Sequence, residues 1–182
     1  MDNEFNTFDA GVAAGGLRNK IQIKILIEYL VDAVEGDLTA EMVIQAITMH
    51  SLANFFEVSQ AISELIETEN LTKDENGVLT ITGKGRVNLR ELVGDLPATV
   101  RETAIKDATA LVLRLKNKES NSVEIIKNDN GYTVICSVLH EKEPLLKIEL
   151  YAADYEMADN IRNRFYDDPA GLYSAVLSIL YS

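Results

Sequence analysis

The chain contains no tryptophan, one cysteine, three prolines and two histidines among its 182 residues. A lone thiol, Cys136, can form neither an internal disulfide nor a metal cluster, and its place in an alternating apolar stretch predicts a buried, inert side chain. His50 and His140 are far apart in sequence, and neither sits in a recognised metal-ligand spacing, which excludes the common histidine-based metal and catalytic motifs. Long apolar runs are missing too. The longest, from Ile21 to Val34, is interrupted by Gln22, Lys24, Glu28 and Asp32, whereas a membrane span needs about 20 apolar residues. The opening MDNEFNTFDAG carries acids where a secretory signal carries bases, so a soluble cytoplasmic protein without membrane association is expected.

Positive charge is scarce. The chain carries 29 acidic and 17 basic residues, a formal net charge of −12, which disfavours non-specific attraction to nucleic acid or anionic lipid. The deficit is uneven: residues 1–97 hold 16 acids against 7 bases, net −9, and residues 98–182 hold 13 against 10, net −3.

Recognisable chemistry is also missing. TGKGR lacks the Gly-x-x-x-x-Gly-Lys-Ser/Thr spacing of a phosphate loop, and KDENG lacks the alternating acids and distal glutamate of a calcium loop. The carboxylate pairs Asp167-Asp168 and Glu141/Glu143 fall at turn or cap positions and are expected to be solvated. No catalytic residue, metal site or cofactor is therefore assigned, and the protein is not expected to be an enzyme.

What the chain does have is 47% hydrophobic residues in periodic order, enough for a real core. Residues 1–18 show little periodicity and are expected to form an N-terminal arm. From Asn19 onward, Ile21, Ile25, Leu26, Tyr29, Leu30 and Ala33 form the stripe of an amphipathic helix that ends near Gly36. Thr39 is placed to cap a short second helix over 40–48, and Asn54 a third running to about Thr68. The segment LTKDENGVLTIT predicts a hairpin with a type I′ turn at Asn76-Gly77. Thr82 can cap a fourth helix to about Val93, and Pro97 separates it from a long fifth one over 98–118. That helix spaces Val100, Ala104, Ala108, Leu111 and Leu115 at near-heptad intervals, flanked by Ile105 and Val112, a face for packing or for dimerisation. Beyond it, SVEIIKNDNGYTVICSVLHEKEPLLKIELYA reads as three antiparallel strands with Tyr132, Val134, Cys136 and Val138, and Leu146, Ile148 and Leu150, on one buried face. Two closing helices, 154–165 and 169–180, can cover that face, the second starting from Asp168-Pro169.

The expected fold is α+β: an arm over 1–18, a winged helix-turn-helix over 19–96, a connecting or dimerisation helix over 97–118, and a small α+β domain over 119–182 with a three-stranded antiparallel sheet covered by two helices. In that arrangement the third helix would read DNA. Stepping residues by 100° puts Phe55, Val58, Ile62, Leu65 and Ile66 on its core side and Phe56, Gln60, Ser63 and Glu67 on the outer side, flanked by Glu57 and Glu64. Gln60 and Ser63 can meet base edges, but the helix has no lysine or arginine. Cations would have to come from Arg18, Lys20 and Lys24 at the first helix, Lys73 in the wing, and Lys84, Arg86 and Arg90 after it.

The segments GVAAGGLRNKIQIKILIEYLV, LANFFEVSQAISELIETENL, LTITGKG and LPATVRETA resemble a bacterial family known as domain-of-unknown-function family 4364. Its members share a Gly-Gly-Leu-Arg start, an apolar first helix, an Asn-(Tyr/Phe)-Phe start to the third, and Thr-x-x-Gly after the wing. The family is similar in layout to dimeric winged-helix regulators of the PadR and MarR kind, and that resemblance implies a transcription regulator. On it, Asn54 to Ser63 would be the reading helix and Lys73 to Gly77 the wing. Two functions are carried forward. One is a homodimeric regulator binding DNA through Arg18, Lys20, Asn54, Gln60, Ser63, Lys73, Lys84 and Arg86. The other is a module of the same shape that meets a protein partner through Phe56, Glu57, Glu64 and Glu67.

Overall fold

The computed structural model describes residues 11–181. Within the arm, residues 1–10 lie outside the described residues. The chain divides into two compact units, Met1–Val112 and Leu113–Ser182, so the division falls inside the long fifth helix.

The first unit is built around α1 (Lys20–Ala33), capped by the Asn19 side chain. Ile23, Ile25, Leu26, Ile27 and Leu30 are all buried, so this helix is surrounded rather than lying on a surface. Against it pack α3 (Phe55–Glu67) and α4 (Gly83–Leu92), with α2 (Ala40–Thr48) resting on α3. Thr39 caps α2 through Met42 N, Asn54 caps α3 through Phe56 N, and Thr82 caps α4 through Gly85 N, each at the predicted position. Strands β1 (Leu71–Lys73) and β2 (Leu79–Ile81) form an antiparallel hairpin, and a bridge from Thr39 to Val78 adds the segment before α2 to its edge. A 3-10 turn over Val93–Asp95 leads to α5 (Ala98–Ser120).

Four local expectations are corrected. The hairpin is present, but Asn76-Gly77 is not a type I′ pair: only Gly77 takes positive φ (82°), while Asp74 Oδ1 accepts from Asn76 N and Val78 N and the Asp74 carbonyl from Gly77 N. An aspartate at the turn's start, able to bond two amides, outcompetes the shorter turn. The buried row on α5 is Val100, Ala104, Ala108 and Val112, a strict four-residue spacing, with Leu111 only half-buried. Residues just before α1 are not a loose arm, because Ala13 N and Leu17 N bond the Ser51 and Leu52 carbonyls at 2.8 and 2.7 Å and Leu17 joins the core. Phe55 lies outside the core. Side chains on a helix lean toward its N-terminus, so a first-turn residue overhangs the buried row that begins at Val58.

In the second unit, β3 (Ser122–Asn128), β4 (Gly131–His140) and β5 (Glu143–Ala152) form an open antiparallel sheet in that order, with Cys136 opposite Val123 and Ile148. Helices α6 (Tyr155–Asp167) and α7 (Pro169–Leu180) pack on one face, started by Asp154 and by Asp168 with Pro169. Val134, Cys136, Val138, Ala158 and Phe165 make its core. Of the predicted apolar face, Leu146 and Ile148 are partly buried but Leu150 is exposed, since the two helices centre on β4 and leave the β5 side open.

Candidate functional site

The exposed side of α3 begins with two aromatic rings. Phe56 is 76% and Phe55 53% exposed, and their ring centroids lie 5.5 Å apart edge to face. Behind them Gln60 and Ser63 are exposed but engaged along their own helix: Gln60 Nε2 donates to Glu64 Oε1 at 2.9 Å, and Ser63 Oγ donates to the Ser59 carbonyl. Glu57 and Glu67 flank this surface.

Glu64 sits apart from the other acids of the helix. It accepts from Lys20 and, at 2.7 Å, from Lys24, both projecting from α1, and these two ammonium groups hold its carboxyl down at about 2. The acid at the centre of the helix is therefore neutralised from below.

The other cations are similarly placed. Arg86 Nε bonds Asp32 Oδ1 at 2.9 Å across α4 and α1, and Lys84 Nζ donates to the Thr68 carbonyl at the end of α3 at 2.7 Å. Arg18 is exposed just ahead of α1, and Lys73 is exposed on β1. The structure thus brings Lys20, Lys24, Gln60 and Glu64 together between α1 and α3, and places Lys84 one turn beyond Glu64, at the C-terminal end of α3.

A second constellation went unforeseen. Glu28 on α1 is fully buried; its carboxylate accepts from Asn70 Nδ2 at 2.8 Å and from Asn88 Nδ2 at 3.1 and 3.3 Å. Burial raises its pKa above the ordinary glutamate value, opposed in part by those two amides and by Lys24. Asn70 Oδ1 is buried without a partner, and Asn70 and Asn88 line a cavity of about 400 Å³ together with Lys84, Val87 and Glu91. Helical spacing places Glu28 between Lys24 and Asp32, on the polar stripe of α1, so its burial is set by the elements that carry Asn70 and Asn88 over it.

The conformation that delivers Asn70 is specific. Glu69 takes φ 58°, Asn70 N bonds the Leu65 carbonyl and Glu69 N that of Ile66, the paired bonds that close a helix through a left-handed residue. Thr82 Oγ1 donates to the Glu69 and Asn70 carbonyls at 2.8 and 3.1 Å. Gly85 packs so tightly there that a Cβ would collide with the Asn70 carbonyl oxygen and stand 2.8 Å from Ile81 Cγ1. The Thr-x-x-Gly segment therefore locks the end of α3 to the start of α4.

Residues 23–180 match the model of a family described as a domain of unknown function, DUF4364. The chain belongs to the DUF4364 family. No curated protein and no solved structure matches it. In this DUF4364 chain the match takes in both units, from the first turn of α1 to the last turn of α7.

Among the described residues of this DUF4364 protein no three His, Cys, Asp or Glu side chains gather as a metal site, and no helix is long and apolar enough to cross a membrane. His50 Nε2 lies 3.2 Å from Asp107 Oδ2 on α5, and Cys136 is buried, its thiol pushed up by burial.

Proposed function

We propose that the protein is a winged-helix transcription regulator that binds DNA as a homodimer. The observation that carries this is the order of elements in the first unit: helix, bridged segment, two helices and an antiparallel hairpin, with α3 exposing one side. A recognition helix needs backbone anchors beside it. Lys73 on the hairpin, Arg18 before α1, Lys20 on α1 and Lys84 and Arg86 on α4 are the anchors, with Asn54, Gln60 and Ser63 on the helix itself. Several of these cations are engaged internally, but the exposed Arg86–Asp32 pair contributes only about 0–1 kcal/mol, so a phosphate can displace Asp32 from Arg86 at small cost. The long α5 is the proposed dimerisation element.

Alanine substitution of Lys73 and Arg86 tests this. Binding to a duplex is expected to weaken by a similar factor for every sequence, and its salt slope to become shallower by about one for each phosphate that is no longer neutralised. Unchanged affinity would remove these anchors from the interface.

One observation favours a second function, a module that binds a protein instead of DNA. The exposed Phe55-Phe56 pair beside Glu57, with Glu67 farther along the same helix, offers an aromatic anchor with an acidic border. Glu64 is held by two lysines and contributes little free charge there. On this alternative, Phe56→Ala releases a co-purifying partner while duplex binding is negligible in both the parent and the variant.

A further inference from the structure

The second unit contains an open apolar groove of about 580 Å³ between the β5 side of the sheet and α6. Its floor is Cys136, Ile148 and Leu150, and its wall is formed by Met157, Ile161 and Phe165, spaced by four along α6, closed at one end by Leu172 of α7. Leu150 and Met157 are 41% and 46% exposed although they border the same groove as the buried Cys136 and Phe165. A volume of this size, apolar within and polar at the mouth, is that of a small-molecule site. Met157, flexible and polarizable, adapts such a wall to different shapes.

The mouth gives the ligand's charge. At the start of α6 Asp154 and Glu156 border it without a cation, and Arg164 and Asp168 border it about 20 Å along near the end of the same helix, so the excess of negative charge lies at the α6 start. Asp154 and Asp168 each hold one backbone amide, Met157 N and Gly171 N, at 2.8 Å, which fixes their carboxylates at the two helix starts. The chain as a whole is at −12, so the surrounding field has the same sign.

We propose that this groove binds a small amphiphile with an apolar body and a single cationic head: the body lies on Ile148, Leu150 and Phe165, and the head is held at the start of α6 by Glu156 with Asp154. The site lies wholly within the second unit, and its occupancy does not depend on whether the first unit binds DNA.

Calorimetric titration of the full chain with three ligands of one chain length, decyltrimethylammonium, decanoate and 1-decanol, each below its micelle concentration, tests the proposal. The cation is expected to bind at one site per chain, roughly tenfold tighter than decanoate at the effective dielectric of a protein surface. Leu150→Arg, at an exposed position and so compatible with folding, is expected to abolish saturable binding with the circular-dichroism spectrum unchanged. Glu156→Gln should narrow the preference for the cation. Binding of decanoate or decanol as tight as that of the cation overturns the proposal, and so does cation binding undiminished in Leu150→Arg. A parent chain that binds no cation but is a dimer broken by Leu150→Arg would assign the groove to a second copy and overturn it equally.

Discussion

Glu28, at the centre of α1, accepts a 2.8 Å hydrogen bond from Asn70, two residues past the C-terminal cap of α3. Asn88 of α4 binds the same carboxylate, so three helices of the first unit meet at one buried acid. A buried carboxylate is costly unless its lone pairs are engaged, and the two amides engage it from separate elements.

Because burial raises the Glu28 pKa, there is a pH interval above 4.5 in which the folded chain retains a proton that the unfolded chain has released. Its favourable protonated state is fully present below the ordinary value of 4.5 and is lost as pH rises through the folded value. Urea unfolding of the parent and of Glu28→Gln between pH 4 and pH 8 is expected to show stability declining more steeply with pH in the parent. Parallel curves would place Glu28 in contact with water.

Glu64 has the opposite sign. Its carboxyl is depressed to about 2, so the contribution of its pairs with Lys20 and Lys24 is present above 4.5 and is lost as pH falls toward 2. Glu64→Gln is expected to be less stable than the parent at neutral pH and to converge with it in acid. Freed of their partner, Lys20 and Lys24 should also tighten duplex binding by a few-fold, which fluorescence anisotropy reads directly; weaker binding would mean that Glu64 positions the lysines rather than occupying them.

Gly85→Ala sets a methyl group against the Asn70 carbonyl and Ile81, and overpacking of this kind costs about 1–3 kcal/mol. The midpoint of urea unfolding should fall accordingly, and a neutral substitution would mean that α4 shifts freely. Thr82→Ala removes the cap of the same helix and should cost about 1 kcal/mol.

Glu69 occupies the left-handed position at the end of α3, where glycine has no Cβ penalty. Glu69→Gly is expected to raise stability by about 1 kcal/mol in thermal unfolding. A decrease would show that the Glu69 side chain makes a contribution of its own.

Local signals made most of the fold legible in the sequence. Thr39, Asn54, Thr82 and Asp168 each cap the helix predicted for them, because a cap depends on one side chain and the amides two or three residues on. Strand boundaries in the second unit follow from period-two alternation. Features set by tertiary context are less legible. Phe55 fits the apolar stripe of α3 yet falls beyond the core, and Leu150 continues the apolar face of β5 yet borders an open groove. Glu141 and Lys142, with φ of 50° and 74°, form the kind of two-residue turn that the sequence suggests for Asn76-Gly77, without asparagine or glycine to mark it. At the candidate site, residue identities are readable but pairings are not: nothing in the spacing says that Glu64 is held by Lys20 and Lys24 across 44 and 40 residues, or that Asn70 and Asn88 converge on Glu28.

The DNA-binding proposal is tested most directly by fluorescence anisotropy of labelled duplexes, one generic and one from the DNA upstream of the protein's own coding region, titrated at about 50 and 200 mM salt, where phosphate contacts weaken measurably. The predicted result is binding that falls steeply between the two salts and is tighter on the upstream duplex. Absence of binding to either duplex at the lower salt would contradict it and leave the Phe55-Phe56 surface of α3 to a protein partner.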